Sequence, residues 1–517
     1  MADRGYLFFQ RELKRRVIFC AIFVFIFSAA SCGKSVDEVK FGIVKGNIIF
    51  CDLPYENAVE VKLESDRFGT LVTQSDSDGK FSFSDIWEGD YTLKFYSPDV
   101  EFDPSSIDFK YNGVSFDAEN INVIKSWKHS EGSDFPDELF SSIMQTDDYG
   151  YIAVGRKGYD QSCSSVITKY DRNGIIVWSA TLNDSNQFSD LCSVKKYDDM
   201  YYACGVSSVR DGDSSVITAA FSDTRNISDP IPVSSYYSLS YSQFYTSGIS
   251  SCLELVDGKM HIAGKSNYQT SGIYDYFILS QKFDSTEKKA FSDTSALDGK
   301  TEFVSLKAFG DDIYAFGNEA VVDNSDPDSP VITNCYKPML YIFDKSYSNS
   351  SVNYYYPIEG CSSSTASAIE IDKDSNIFLA IGSKKENYDS EKPVIIKCKT
   401  SSPSIQLWKV YPDGENFGKI YDIKSDGEGG LVGTGCRNFS DLGVSVMTVF
   451  RIDSDGKLKW FRVFSGSGTV EESGRCINVT KDGGVIVGGT LSASGGRKGD
   501  FAVIKLNKNG EIYGSDR

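Results

Sequence analysis

The sequence contains very little histidine, and its cysteines are widely spaced. Two histidines, His129 and His261, cannot build an HExxH metalloprotease motif, a zinc finger or a histidine-rich metal centre. No two cysteines form a CxxC pair, which further disfavours zinc. A GxSxG nucleophile elbow and a P-loop are also absent. We therefore predict that the protein binds no metal or other cofactor and is not an enzyme.

Basic residues are fewer than acidic residues. Lysine and arginine total 53 and aspartate and glutamate total 72, so the net charge is −19. A chain this acidic is repelled by a phosphate backbone, and we predict that it binds no nucleic acid. Its 40% apolar content is sufficient for a packed core.

The N-terminus is basic and then apolar, which is typical of a secretory signal. Arg11 and Lys14–Arg16 precede the apolar run Val17–Phe27, which is short for a membrane span. Ala29-Ala30-Ser31-Cys32 resembles the lipobox of bacterial lipoproteins, although that pattern prefers leucine where Ala29 stands. The resemblance implies lipidation of Cys32 and membrane attachment through lipid. Plain secretion and an N-terminal anchor helix are the alternatives.

Ten cysteines follow Cys32. Their even number permits disulfides in an exported protein, but the sequence does not reveal the connectivity. Several stand in alternating apolar stretches, and we expect these to be buried strand residues: Cys192, Cys252 and Cys476.

Residues 41–120 alternate apolar and polar positions between turns and show no helical period, which predicts short strands. Gly42–Phe50 is the clearest strand, and Asp76–Gly79 reads as a plain turn. With Phe81, Phe83 and Gly89–Leu93, this segment resembles the carboxypeptidase regulatory-like domain. The resemblance implies an Ig-like β-sandwich that acts as a spacer or adhesion module.

From residue 140 onward one unit recurs, a short apolar strand that ends in glycine. The glycines are spaced 50, 59, 53, 65, 53 and 54 residues apart, at positions 155, 205, 264, 317, 382, 435 and 489. A period near 50 that contains about four short strands is typical of a β-propeller. A fourth strand carries a tryptophan that we expect to pack between blades rather than to bind a sugar: Trp178, Trp408 or Trp460.

The spacing also predicts how the ring closes. Trp127 precedes Gly150 by 23 residues and Trp460 precedes Gly484 by 24, so residues 121–129 resemble a fourth strand placed ahead of the first repeat. Such a strand completes the last blade and removes an open edge. We predict an all-β protein with seven blades, although six or eight also fit the spacing. The predicted organisation is a signal peptide over 1–31, a tether over 32–40, a β-sandwich over 41–120 and a propeller over 121–517.

The repeat resembles a propeller family of bacterial lipoproteins and secreted proteins, most closely in Lys481–Gly489 with Asp500–Gly510. Acidic residues recur just before the innermost strand, where we predict a mouth that attracts a cation or a basic partner: Asp137, Glu138, Asp190, Glu302, Glu471 and Glu472. Solvated loops are the alternative. A second candidate surface is an aromatic loop: Tyr236, Tyr237, Tyr241, Phe244 and Tyr245.

We interpret both histidines as structural. The predicted protein is a monomeric bacterial lipoprotein of the cell envelope, attached to the outer membrane or cell surface. Its propeller binds a protein or glycan partner without catalysis. The alternatives are a periplasmic scaffold of an envelope complex and a propeller-type glycan-active enzyme that uses carboxylates.

Overall fold

The computed structural model describes residues 42–513 apart from internal segments, which are 132–136, 159–162, 183–187, 209–213, 224–232, 240–246, 268–273, 283–287, 292–300, 324–330, 348–349, 356–360, 386–391, 411, 413–417, 440–443, 467–471 and 493–498. The described residues form strands and turns and contain no helix. The predicted signal peptide, the tether and the lipidated Cys32 lie outside them. The chain divides into two compact units, Met1–Ser97 with Glu101–Val123, and Pro98–Val100 with Ile124–Arg517.

The first unit is a β-sandwich. Its strands are β1 (Gly42–Phe50), β2 (Leu53–Pro54), β3 (Glu60–Ser65), β4 (Gly69–Gln74), β5 (Lys80–Ile86), β6 (Gly89–Tyr96), β7 (Glu101–Asp103), β8 (Ser106–Tyr111) and β9 (Phe116–Ile124). One sheet has the order β2-β1-β9-β7, with β5 also paired to β1, and the other has the order β4-β3-β6-β8. Residues 121–124, which we predicted to lie in the closing strand, complete β9, which runs parallel to β1.

Alternation explains how these two sheets share one core. Every second residue of β1 and β6 is buried, as expected when one strand face packs inward. Phe81 of β5 and Phe95 of β6 meet edge to face with ring centroids 5.9 Å apart. The Asp76–Gly79 turn is closed by the Asp76 carboxylate, which accepts hydrogen bonds from the backbone N–H groups of Asp78 and Lys80.

The second unit is built from successive four-stranded groups. The strands are β10 (Trp127–Glu131), β11 (Asp137–Gln145), β12 (Tyr151–Gly158), β13 (Ser164–Tyr170), β14 (Ile176–Leu182), β15 (Phe188–Tyr197), β16 (Met200–Ser208), β17 (Ser214–Phe221), β18 (Val233–Leu239), β19 (Ser247–Val256), β20 (Lys259–Asn267), β21 (Tyr274–Lys282), β22 (Lys288–Phe291), β23 (Thr301–Phe309), β24 (Asp312–Asp323), β25 (Val331–Asp344), β26 (Ser350–Tyr354), β27 (Cys361–Ile371), β28 (Asn376–Lys385), β29 (Lys392–Lys399), β30 (Trp408–Val410), β31 (Lys419–Ser425), β32 (Leu431–Phe439), β33 (Val444–Ile452), β34 (Leu458–Phe464), β35 (Ser473–Val479), β36 (Val485–Ser492) and β37 (Gly499–Leu506).

Five of these groups are separate antiparallel sheets, namely β15–β18, β19–β22, β23–β26, β27–β30 and β31–β34. The remaining strands form one eight-stranded sheet, because Asp137 at the start of β11 bridges to Gly499 of β37. In that sheet β10 pairs antiparallel with β37, and Trp127 lies opposite Lys505. A strand from the start of this unit thus covers the edge of its last strand group.

The strand groups follow one another in a cyclic order of contact. The first strand of each group contacts the first strand of the next, from β11 through β15, β19, β23, β27, β31 and β35, and β35 contacts β11. Apolar clusters fill the spaces between neighbouring groups. One cluster, for example, joins Ile152, Ile167 and Trp178 to Leu191 and Tyr201 of the next group. Burial of such apolar area is the main stabilising contribution to this unit.

A β-bulge interrupts each first strand of a group near its beginning. In six of the seven groups the repeat glycine of the second strand pairs with the residue directly before the bulge. A Cβ atom would lie within 2.1 Å of a first-strand carbonyl oxygen at Gly155, Gly205, Gly317, Gly435 and Gly489. Glycine recurs because the bulged backbone approaches too closely for any side chain.

Buried cations in the third strands anchor the turn between strands one and two. Lys169 lies 2.7 Å from Asp148, and Lys505 lies 3.0 Å from Asp482. Burial by itself raises the pKa of Asp482, but the charge of Lys505 and the hydrogen bonds from Lys505, Thr480 and the Gly484 backbone together outweigh it, and the pKa lies below its usual value. Arg451 repeats the arrangement with Asp426 at 3.0 Å. These three third-strand cations, Lys169, Lys505 and Arg451, are therefore structural.

Replacing Gly435 with alanine tests the glycine–bulge contact. The added Cβ would lie 1.8 Å from the carbonyl oxygen of Lys419, so the backbone must shift, and we expect a loss of about 3 kcal/mol in the free energy of unfolding. Gly427→Ala is the control, because this turn glycine has φ +77° and no atom within 4 Å of its Cβ position. We expect about 1 kcal/mol there. Urea titration of both variants measures the difference, and equal losses would contradict the explanation.

Candidate functional site

The first strands of the second unit surround a cavity of about 180 Å³. Each of the seven contributes a short segment to its lining, and each segment begins with the extra residue of the bulge. These seven residues are Ser141, Cys192, Ser251, Val304, Ser367, Tyr421 and Arg475. The bulges thus decide which side chains reach the cavity.

Neighbouring first strands are joined by hydrogen bonds beside the bulges. The backbone N–H of Val194 donates to Ser142 Oγ at 3.2 Å, and the N–H of Ile369 donates to Ser305 Oγ at 3.3 Å. In a third case the N–H of Ile477 donates to the carboxylate of Asp422 at 3.0 Å. A bulge disturbs the ladder, and side chains of the preceding strand group supply the missing acceptors.

Three lysines line the cavity, and each has a carboxylate partner. Lys195 lies 3.2 Å from Glu254 of the next group, and Lys307 lies 2.8 Å from Glu370 in the same manner. Lys424 pairs with Asp422 at 2.5 Å. The Glu254 carboxylate raises the pKa of Lys195, against the opposing effect of burial. These lysines and carboxylates largely neutralise one another.

Arg475 differs from these lysines. Its Nε donates to Ser473 Oγ at 2.9 Å, and its guanidinium lies 3.9 Å from the centroid of the Tyr421 ring. Across the described ranges, no carboxylate lies within ion-pair distance of it. Burial raises the pKa of Asp190, and the nearby charge of Arg475 lowers it by a smaller amount. Asp190 is already hydrogen-bonded to Arg156, so Arg475 presents a charge without a carboxylate partner.

The predicted acidic residues lie at the beginnings of first strands, and the described ones contact protein groups. Glu138 is buried and lies 3.2 Å from Lys157. Asp190 lies 3.0 Å from Arg156, and Glu302 accepts from Lys265 at 3.1 Å. These cations come from the second strands beside them, so much of the negative charge is compensated inside the protein.

Glu472 is fully buried, and one of its carboxylate oxygens accepts hydrogen bonds from the backbone of Gly466 and from Ser492. Asp137 is the first residue of β11, but its side chain lies outside the described part of the structure, as does all of Glu471. Attraction of a cation to the six acidic residues stays a prediction.

The repeat tryptophans pack between strand groups. Trp127 and Trp178 are buried. The Trp460 ring lies over the hairpin turn after β37, where a Cβ on Gly510 would be 2.6 Å from it, and its indole N–H donates to the carbonyl of Lys508 at 3.0 Å. Trp408 lies over Gly456 in the same way. Glycine in these turns therefore makes room for the indole ring.

Tyr236 and Tyr237 of the predicted aromatic surface lie in β18, but their side chains are outside the described set. Tyr241, Phe244 and Tyr245 lie wholly outside the described residues. This candidate surface therefore stays a prediction.

Among the described residues, five cysteines are free thiols: Cys192, Cys252, Cys398, Cys436 and Cys476. Burial raises the pKa of Cys192, Cys252 and Cys476 well above the usual value, so these thiols stay protonated and unreactive. Cys252 and Cys476 are buried strand residues, whereas Cys192 is half-buried in a bulge.

Both histidines contact aromatic residues. His129 of β10 meets the Tyr170 ring edge to face, with centroids 5.6 Å apart. His261 is buried, and its Nδ1 shares a hydrogen bond with the hydroxyl of Tyr347 from the neighbouring strand group. Within the ranges that the structure describes, no three metal-ligating side chains come together, and no helix is long and apolar enough to cross a membrane.

The bulge residues that line the cavity, above all Arg475, were not among the predicted site residues. A signal was present, because every bulge residue precedes its repeat glycine by 13 to 15 residues. The residues 13 to 15 positions before the seven repeat glycines include the bulge residues that line the cavity. The bulge shifts the alternation of inward and outward side chains, so a strict two-residue period conceals it.

Comparison with known proteins supports the β-sandwich of the first unit. Residues 52–143 match the family model described as ER membrane protein complex subunit 7, beta-sandwich domain. A search of curated proteins finds no match.

Among solved structures, similarity is remote. A luciferin-regenerating enzyme is 9% identical with a TM-score of 0.36, and the match covers 75% of this chain and 97% of that one. The phage phi92 endosialidase is 11% identical with a TM-score of 0.43, over 80% of this chain and 72% of that one. The polysaccharide lyase Uly1 is 8% identical with a TM-score of 0.43, over 73% and 91%. TM-scores of this size establish no shared activity.

Burial of His261 predicts a loss of stability in mild acid. Burial lowers the pKa of His261 from 6.5 to about 4, so between these values the unfolded chain takes up a proton that the folded chain does not. Stability therefore falls as the pH drops from 6.5 to 4, by about 3 kcal/mol from this group, and is unaffected by it above 6.5. Urea titrations across this range should show a smaller fall for His261→Gln than for the unaltered protein. His129→Gln is the control, and an equal effect of both substitutions would contradict the assignment.

Proposed function

We propose that the second unit is a seven-bladed β-propeller that serves as a binding module without catalytic activity. The cyclic contacts of the first strands from β11 to β35 support this arrangement. In it, the eight-stranded sheet comprises the first and last blades, and β10 is the strand that completes the last blade. The partner is a protein or a glycan, and the chain acts as a monomer.

The observation that carries the binding role is the cavity at the centre of the first strands. Its lining is polar, and its carboxylates Glu370 and Asp422 each lie beside a lysine. Glycoside hydrolysis needs one carboxyl group that donates a proton and a second that stays ionised. Glu370 and Asp422 instead already bind lysines of the protein, at 2.8 and 2.5 Å. This pairing favours recognition over glycan cleavage.

We also propose that lipid on Cys32 attaches the protein to a membrane. A body with a net charge of −19 gains nothing from an anionic membrane surface, so lipid is the attachment that suits it. The first unit, which follows Cys32 in the chain, then acts as a spacer or adhesion module. We place the protein at the outer membrane or cell surface, with a periplasmic envelope scaffold as the alternative.

A glycan array probed with the full-length chain, followed by a product assay on each bound glycan, tests the binding role against the enzymatic one. We expect retention of bound glycans without new reducing ends or unsaturated products. Glu370→Gln and Asp422→Asn are the matched variants. Product release that either substitution abolishes would show that these carboxylates act in catalysis and would overturn the proposal.

Protease treatment of intact cells tests the location. We expect the propeller to be digested, because the proposed location is the cell surface, and an antibody against the second unit reports the loss. Cys32→Ala is the control, since it should release the chain from the membrane fraction. Complete protection until the cells are lysed would place the protein in the periplasm and favour the scaffold.

A further inference from the structure

Arg475 lacks the compensation that the other cavity cations have. Lys195, Lys307 and Lys424 each lie within 3.2 Å of a carboxylate. The described residues provide Arg475 with a serine oxygen and an aromatic face, and neither neutralises a guanidinium. Stacking on Tyr421 leaves the terminal guanidinium nitrogens able to donate in one plane, which suits a carboxylate.

Hydroxyl groups surround this charge. Two cavity serines, Ser142 and Ser305, accept hydrogen bonds from the neighbouring backbone. Four others line the same cavity, and their hydroxyls have no protein hydrogen-bond partner among the residues that the structure describes: Ser141, Ser193, Ser251 and Ser367. A hydroxyl both donates and accepts, so these groups can pair with hydroxyls on a ligand.

The charged side chains in and around the cavity indicate the charge that a ligand should carry. Counting the partner Glu254, three carboxylates face four cations in and around the cavity, an excess of one positive charge. One carboxylate would neutralise it, whereas a dianion would leave an excess negative charge inside a chain of net charge −19. A neutral sugar would leave Arg475 unpaired. These considerations favour a singly charged anion.

The size of the cavity limits the ligand to about one ring. Its volume is about 180 Å³, and cavities of roughly 150 Å³ hold a benzene molecule. We propose that this cavity binds a small hydroxylated carboxylic acid, of the kind represented by a hexuronate, with Arg475 as the carboxylate anchor. The inference rests on the proposed binding role and specifies the ligand class for the cavity.

Calorimetric titration of the full chain with four probes tests the ligand class. Glucuronate carries the carboxylate, glucose lacks it, acetate lacks the hydroxyls, and glucose 6-phosphate carries a dianion. We expect glucuronate to bind at least tenfold more tightly than each of the others. Tighter binding of glucose or glucose 6-phosphate, or no binding of glucuronate, would overturn the proposal.

Variants then test the role of Arg475. Arg475→Gln should weaken glucuronate binding by about 10- to 100-fold, and Arg475→Lys by a smaller factor, because lysine keeps the charge but loses the planar pair of donors. Ser141→Asp offers Arg475 an internal carboxylate from the adjacent strand and should block binding while Arg475 is retained. Arg67→Gln in the first unit is the matched control and should leave affinity unchanged. Unaltered affinity in both Arg475→Gln and Ser141→Asp would overturn the assignment.

The two proposals can fail separately. A chain that binds glycans on the array but none of the four probes would keep its binding role and lose the cavity site. Glucuronate binding that depends on Arg475 would support the site, and turnover of a glycan in the same preparation would overturn only the proposal that the module is not catalytic.

Discussion

The close contact between a bulged first strand and a glycine of the second strand determines the architecture of the second unit. At Gly435 a Cβ atom would lie 1.8 Å from the carbonyl oxygen of Lys419 in the first strand, so a side chain fits only if the backbone shifts. The bulge adds one residue to the first strand and directs it into the central cavity. A side chain at this position would force the bulged backbone to shift, and the cavity lining would change with it.

The same bulges create the need for the contacts between neighbouring first strands. Each disturbs the backbone ladder, and side chains such as Ser142 and Asp422 accept the N–H groups of the next strand group. Together with the apolar clusters between groups, these bonds couple every group to its neighbours. The cavity is therefore lined by side chains whose positions depend on both adjacent strand groups.

Many charged side chains in this acidic protein form ion pairs, both at the turns between first and second strands and in the cavity. Third-strand cations such as Lys169 and Lys505 lie beside the carboxylates of turns, and two of the three cavity lysines lie beside carboxylates of the next group. Buried charges are tolerated when they are paired and hydrogen-bonded. Arg475 departs from this arrangement, and the departure distinguishes a candidate binding group from structural ones.

Much of the fold could be predicted from local patterns. Gly42–Phe50 was predicted as a strand with the bounds that it has, because alternating burial leaves an alternating sequence. The recurring glycine and tryptophan are also visible in sequence. In six of the seven groups the glycine pairs with the residue before a bulge, and Trp408 and Trp460 each lie over a turn glycine of the next group. The strand Trp127–Glu131, which pairs with β37, was anticipated from the interval between tryptophan and glycine, although residues 121–124 proved to lie in β9.

The candidate site depended on contacts that are remote in sequence. Whether Glu302 attracts a ligand or a neighbouring lysine depends on Lys265, 37 residues away, and no local pattern records that pairing. The isolation of Arg475 is likewise a property of the folded surroundings. The sequence by itself determined the strands, the repeat and the positions that must be glycine, because these follow from steric limits within one unit. Only the tertiary structure decided which charged side chains are paired and which one lines the cavity without a partner. The reason is that many electrostatic partners come from different strand groups.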